Sequence, residues 1–277
     1  MLQEGISLFN SLPLFRRWDL ALLWGAYVLC IIVPLASAGI ARLCGRTKAP
    51  SLPYPDCTFP NKWDIAFAFL FLAFALSSSS TISILSGMEM KAITPADVVN
   101  NAFIYIPMLL RIWWLPISEQ RANWSRTLAG AFITIFLALA FNIIYTQCGL
   151  MELIVQASGC PLFQETAQML KDGTPSTQIL LAIAAVVVAP ICEDCCFRGF
   201  LYNAIKKYSG PVVAALLSSL LFAAVHTSLA QTLPLMVFAM LLCLVYERTH
   251  SLRTCILAHA IFNAISVICI IAFGLDI

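Results

Sequence analysis

Charge is scarce in this chain. Asp, Glu, Lys and Arg make up only 11% of its 277 residues. A soluble domain carries about 25%. With 61% hydrophobic residues and a mean hydropathy of +0.89, no water-exposed fold could hide the apolar side chains. That excludes a soluble globular class and indicates an all-α, polytopic transmembrane helical bundle, an integral multi-pass protein expected in a plasma or inner membrane. A charge bias of one sign is missing too. The formal net charge of +2 is too small to suggest a nucleic-acid partner; the partner implied is the lipid bilayer. Histidine occurs three times, and never as His-Glu-x-x-His, so the helix-borne zinc-peptidase signature is absent. There is no heptad run, obvious repeat or second soluble domain. Cysteine, by contrast, is plentiful, but its count of eleven is odd. Most of these residues (Cys30, Cys148, Cys192, Cys195, Cys196, Cys243, Cys255 and Cys269) sit in apolar runs and read as small buried hydrophobes, not as a disulfide framework. Cys44, Cys57 and Cys160 fall in loops.

Apolar runs of spanning length are clearest at 20–42, 63–86, 127–149, 178–206, 211–230 and 252–274. Residues 97–117 are interrupted by Asn100, Asn101, Pro107 and Arg111, and 232–247 is short enough to be re-entrant. The expected number is about eight helices, with six or seven as alternatives. The first run is too long for a cleaved signal core and is expected to be a retained helix. With eight spans, Arg42, Arg46, Lys48, Lys62, Arg111, Arg121, Arg126, Lys206, Lys207, Arg248 and Arg253 share one side. Arg16, Arg17, Lys91 and Lys171 fall on the other, so the basic side is expected to be cytoplasmic. The segment 150–177 mixes apolar and polar residues between Gly/Pro pairs. It is expected to form a short amphipathic helix at the membrane surface, either gating access or connecting two spans. The organisation expected is one integral domain, with 1–177 supplying helices and the connector and 178–277 carrying the chemistry.

The chemistry is suggested by polar groups where lipid makes them costly. An ionised side chain at mid-membrane costs about 2.5–3.5 kcal/mol on insertion scales. The run 178–206 nevertheless ends in Glu193-Asp194-x-x-x-Arg198, the next holds Phe222-x-x-x-His226, and the last holds His259-x-x-x-Asn263. Asp194 and Arg198 are four apart and can pair along one helix face. Glu193, about 100° around the helix from Asp194, has no such local partner. Each group alone fits interhelical polar packing. Together they fit a division of labour for activating water, in which Glu193 with His226 serves as base while His259 and Asn263 donate to a developing oxyanion. A three-ligand zinc site of Glu193, His226 and His259 is the weaker alternative; the expectation is a site with no cofactor.

These motifs resemble those of the CPBP family, the CAAX protease and bacteriocin-processing (Abi) group of intramembrane proteases, in which Glu-Glu-x-x-x-Arg, Phe-x-x-x-His and His-x-x-x-Asn follow one another. The phrases Ala189-Pro190 before the acids and Phe197-Arg198-Gly199-Phe200 after them also match. The likeness covers 178–266, roughly a third of the chain. It implies a glutamate-type endopeptidase: Glu193 would activate water with His226, His259 and Asn263 would stabilise the oxyanion, and Arg198 would support the acidic pair. The second acid departs from the pattern, being Asp194 where the family has Glu, and is expected to serve in a supporting role. Expected substrates are membrane-associated peptides or proteins, lipid-modified or leader-bearing. A non-catalytic immunity factor or scaffold of the same fold, and a proton-coupled transporter, are the competing functions.

Overall fold

A computed structural model describes residues 12–43, 124–162 and 164–274. The expected spans at 63–86 and 97–117 lie outside these residues. So do Cys44, Cys57, the Pro-rich loop and six of the basic residues used to assign sides. The described helices are α1 (Leu14–Leu43), α2 (Trp124–Gln147), α3 (Leu150–Ser158), α4 (Glu165–Asp172), α5 (Pro175–Ile183), α6 (Ala189–Asp194), α7 (Asn203–Val225), α8 (Thr232–Thr249) and α9 (Leu252–Phe273). A π-helical stretch, Ala184–Val188, joins α5 to α6, and a second, Cys195–Tyr202, joins α6 to α7.

Among the described residues, five helical stretches are long and apolar enough to cross a bilayer: Leu14–Ala41, Trp124–Gln147, Pro175–Val225, Thr232–Thr249 and Leu252–Phe273. The chain is an all-α, integral, multi-pass membrane protein. α2 shows the sorting of its surface clearly. Thr127, Ala131, Thr134, Ile135, Ala138, Asn142 and Tyr145 recur at three- and four-residue steps and are buried, because such steps return to one helix face. Phe132, Ile133 and Phe136 point away from the core, where acyl chains replace water as the contact. α1 buries Leu20, Leu23, Ala26 and Cys30 in the same way, and this stripe packs on α7. The main core joins side chains of α1, α2, α7, α8 and α9 to the second π stretch, including Phe197, Phe200, Phe222, Phe238, Leu242 and Phe262.

Three details differ from expectation. The run 178–206 is not one regular helix but is widened twice. The break expected between that run and the next falls within the 51-residue stretch Pro175–Val225, where Gly210 adopts φ 82°, ψ 170°. Only glycine takes up that conformation freely, and Pro211 then restarts the helix with a ring that needs no N–H partner. The segment 150–177 forms two short helices where one was expected. Gly159, left-handed at φ 69°, closes α3 by donating its N–H to Val155 O, and Pro161 follows. α3 then packs through Met151 against Tyr145 and Ala230, and α4 through Leu170 against Leu181, Val267 and Ile270. Finally, α8 is a complete 18-residue helix whose Phe238, Ala239 and Leu242 lie in the core.

Candidate active site

The acid pair occupies the last turn of α6, bracketed by the two π stretches. Each stretch disturbs the backbone ladder, and each disturbance is repaired by an asparagine. Upstream, the Ala189 N–H donates five residues back to Ala184 O. In that register the next donor, to Ala185 O, would be residue 190, which is proline and has no N–H. The amide of Asn263 on α9 takes its place, with Nδ2 donating to Ala185 O at 2.8 Å. Downstream, the Asn203 N–H turns to Phe200 O, away from the Gly199 O or Arg198 O that an α or a π register would give it. The Asn203 side chain donates to both, at 2.9 and 3.1 Å, with Tyr246 Oη also 3.2 Å from its Nδ2. Buried carbonyls in a bilayer need such partners, since no water is at hand to serve them.

Within this frame the charges are arranged around Asp194, whose side chain is fully buried. Arg198 Nη1 lies 3.1 Å from Asp194 Oδ1, the ion pair expected from the four-residue spacing. His259 Nδ1 lies 3.1 Å from Asp194 Oδ2. Because a carboxylate only accepts, Nδ1–H is the donor, and Nε2 is turned away from Asp194. That Nε2 lies 3.8 Å from Glu193 Oε2, an oxygen buried without a hydrogen-bond partner among the described residues. The shorter Asp194 side chain therefore reaches both its partners. Arg198 is only 1% exposed. Its Nη2 donates to Ala239 O at 3.3 Å, and its guanidinium carbon sits 4.5 Å from the centre of the Phe222 ring, an attractive placement for a cation over a π face.

Phe222 links the two imidazoles. Its ring centroid is 4.8 Å from that of His226 and 5.8 Å from that of His259, and Phe238 packs on the other ring contacts of His259 at 5.4 Å. His226 caps the end of α7, and its Nδ1 is 2.7 Å from Phe222 O. A carbonyl accepts, so Nδ1 carries the proton, and Nε2 is left as an acceptor in the neutral ring. Ser218 and Ser219, near the same stripe, are buried and lie 3.7 and 3.9 Å from Cys243. Ser218 also donates to Ala214 O.

The structure thus gathers Glu193, Asp194, Arg198 and His259 into direct contact and brings His226 alongside through Phe222. Asn263 is committed to the α5–α6 junction. Among the described residues no group of three His, Cys, Asp or Glu side chains is placed to hold a metal ion, so Glu193, His226 and His259 are not assembled as a ligand set. Phe238 and Ala239 of α8, together with Asn203, were absent from the sequence-derived set. An aromatic residue and a backbone carbonyl in an apolar run give no compositional signal, whereas Asn203, a lone amide beside the acid motif, gives a faint one.

Residues 175–265 match the family described as type II CAAX prenyl endopeptidase Rce1-like. The chain is also similar to "Putative membrane peptidase YdiL" of Bacillus subtilis (strain 168), with 26% identity over 174 residues, 62% of this chain and 70% of that protein. No solved structure matches it. The Rce1-like CAAX protease family domain, of the CPBP/Abi superfamily, thus matches the stretch that holds all three polar motifs and both π stretches.

Proposed function

We propose that the protein is an intramembrane endopeptidase that hydrolyses peptide bonds of membrane-associated, lipid-modified or leader-bearing substrates with a water activated by Glu193. The observation that carries this reading is the buried Oε2 of Glu193, without a hydrogen-bond partner among the described residues, facing His259 Nε2 at 3.8 Å. In this reading the site opens to admit one water between the two atoms, within hydrogen-bond distance of both. Family membership and the likeness to a membrane peptidase support the reaction class. Residues 178–277 carry the chemistry, and the helices of 1–177 frame it.

In this reading Glu193 takes a proton from water as the oxygen attacks the scissile carbonyl, and later passes it to the leaving amine. The acceptor nitrogen of His226 shares the attacking water. His259, whose Nδ1–H is held by Asp194, donates from Nε2 to the charge developing on the carbonyl oxygen as the imidazolium, the form in which both ring nitrogens carry a proton. Asn263 fixes the carbonyl of Ala185 with one N–H, and its second N–H is the candidate oxyanion donor. Asp194 and Arg198 hold His259 and do not exchange protons with the substrate.

Glu193→Gln keeps the side-chain volume and removes the base. Comparing membrane-derived peptides from cells carrying wild type and this variant, at equal expression, is expected to show at least one cut lost, with turnover of that bond reduced by roughly 10²–10⁴. An unchanged set of cuts would reject hydrolysis and favour a non-catalytic member of the fold.

A further inference from the structure

The turn between α7 and α8 begins at His226 and is buried: Ser228 is 8% exposed, Ala230 0% and Gln231 5%. Thr227, directly after His226, has φ 47°. A β-branched residue enters the left-handed region at a steric cost and stays there only if its surroundings over-determine it. The turn's own bonds, Thr227 N to Ala224 O at 3.1 Å, Gln231 N to Ser228 O at 3.1 Å and Thr232 Oγ1 to Ser228 O at 2.9 Å, secure its two ends. They leave the Leu229 N–H and the Ala230 carbonyl to be satisfied from outside.

Both outside partners come from upstream of the matched domain. The Asp19 carboxylate on α1, 3% exposed, is set against the backbone of Leu229. The Tyr145 hydroxyl on α2, 1% exposed, donates to Ala230 O at 2.8 Å. Two upstream helices thus meet the backbone of the turn, and the phenol ring is itself kept in place by stacking on Phe141.

We infer that Asp19 and Tyr145 are positioning residues for His226: they clamp the strained turn that follows it and so fix where the free imidazole nitrogen points. The inference rests on His226 belonging to the proposed site, but its structural part can be tested separately. The alternative is that both residues merely pack the bundle. That would lower stability on substitution without changing the environment of the imidazole.

The protein's three histidines make the test direct. Full-length protein labelled with heavy nitrogen at histidine is reconstituted in phosphatidylcholine nanodiscs, and the His226 signals are identified by comparison with His226→Gln. Wild type is expected to show His226 protonated at Nδ1. Tyr145→Phe, which removes one hydroxyl and keeps the ring stack, and Asp19→Asn are each expected to shift or split the His226 signals into mixed tautomers while those of His250 stay in place. Tyr145→Phe alone decides the matter if Asp19→Asn does not fold. His226 signals superimposable on wild type in Tyr145→Phe would overturn the clamp, even with a lowered melting temperature. For a bond identified through Glu193→Gln, Tyr145→Phe is expected to lower kcat about tenfold with KM unchanged; an equal change in both would also count against the clamp. If Glu193→Gln removes no cut, the hydrolytic reading falls while the spectroscopic result still decides the clamp.

Discussion

The two π stretches flanking the acid pair have similar irregularities but opposite surroundings. Ala184–Val188 has no buried residue and takes its repair from another helix, through Asn263. Cys195–Tyr202 is buried from Cys196 to Tyr202 and is repaired by Asn203 from its own continuation. The downstream stretch is therefore stabilised by nearby residues of the same chain segment and by the core around it. The upstream stretch holds its shape only while α9 is docked. Glu193 and Asp194 lie between them, so one side of the acid pair is fixed locally and the other depends on the helix that supplies His259. Docking of α9 thus sets the backbone geometry upstream of the acids as well as delivering the imidazole.

Four substitutions test this contrast. The largest effect is expected from Arg198→Met on the self-sufficient side. It leaves Asp194 buried without its counter-ion, a loss of about 3–5 kcal/mol, read from unfolding equilibria in mixed micelles. A loss under 1 kcal/mol would show that the pair is not buried as described. Next are the two asparagines. Asn203→Leu strips two carbonyls and Asn263→Leu one, at about 1–3 kcal/mol each, so Asn203→Leu is expected to be the more destabilising and Asn263→Leu the more damaging to turnover for its stability cost. Equal ratios of activity to stability would erase the distinction between the stretches. The smallest effect is expected from Pro190→Ala, within about 1 kcal/mol on its own. It restores an N–H for Ala185 O, so it should recover part of the stability lost in Asn263→Leu. Effects that simply add, to within about 0.5 kcal/mol, would mean that the proline is not the reason Asn263 is needed there.

Much of this architecture can be read from hydropathy. The runs at 20–42, 127–149, 178–206, 211–230 and 252–274 all fall on described helices, and the gap after residue 206 anticipates the break at Gly210. The Asp194–Arg198 pair was legible because helical spacing alone puts the two within reach. The contact of His259 with Asp194 was not, since 65 residues separate them and no local period encodes the packing of α9 on α6. The π stretches escaped detection for a related reason: widening a helix by one residue per turn does not alter an all-apolar composition. Pro190 was the sole local sign. Likewise, α8 seemed short and featureless, yet it supplies a carbonyl to Arg198 and a ring to His259.

The buried guanidinium pair has a further consequence for biosynthesis. Asp194 and Arg198 are separated by a single turn of the same nascent helix, so their charges can cancel while that segment leaves the ribosome and partitions into lipid, before any later span exists. His259 arrives only with α9. The cluster around Asp194 thus stays incomplete until that helix has followed the acid pair into the membrane.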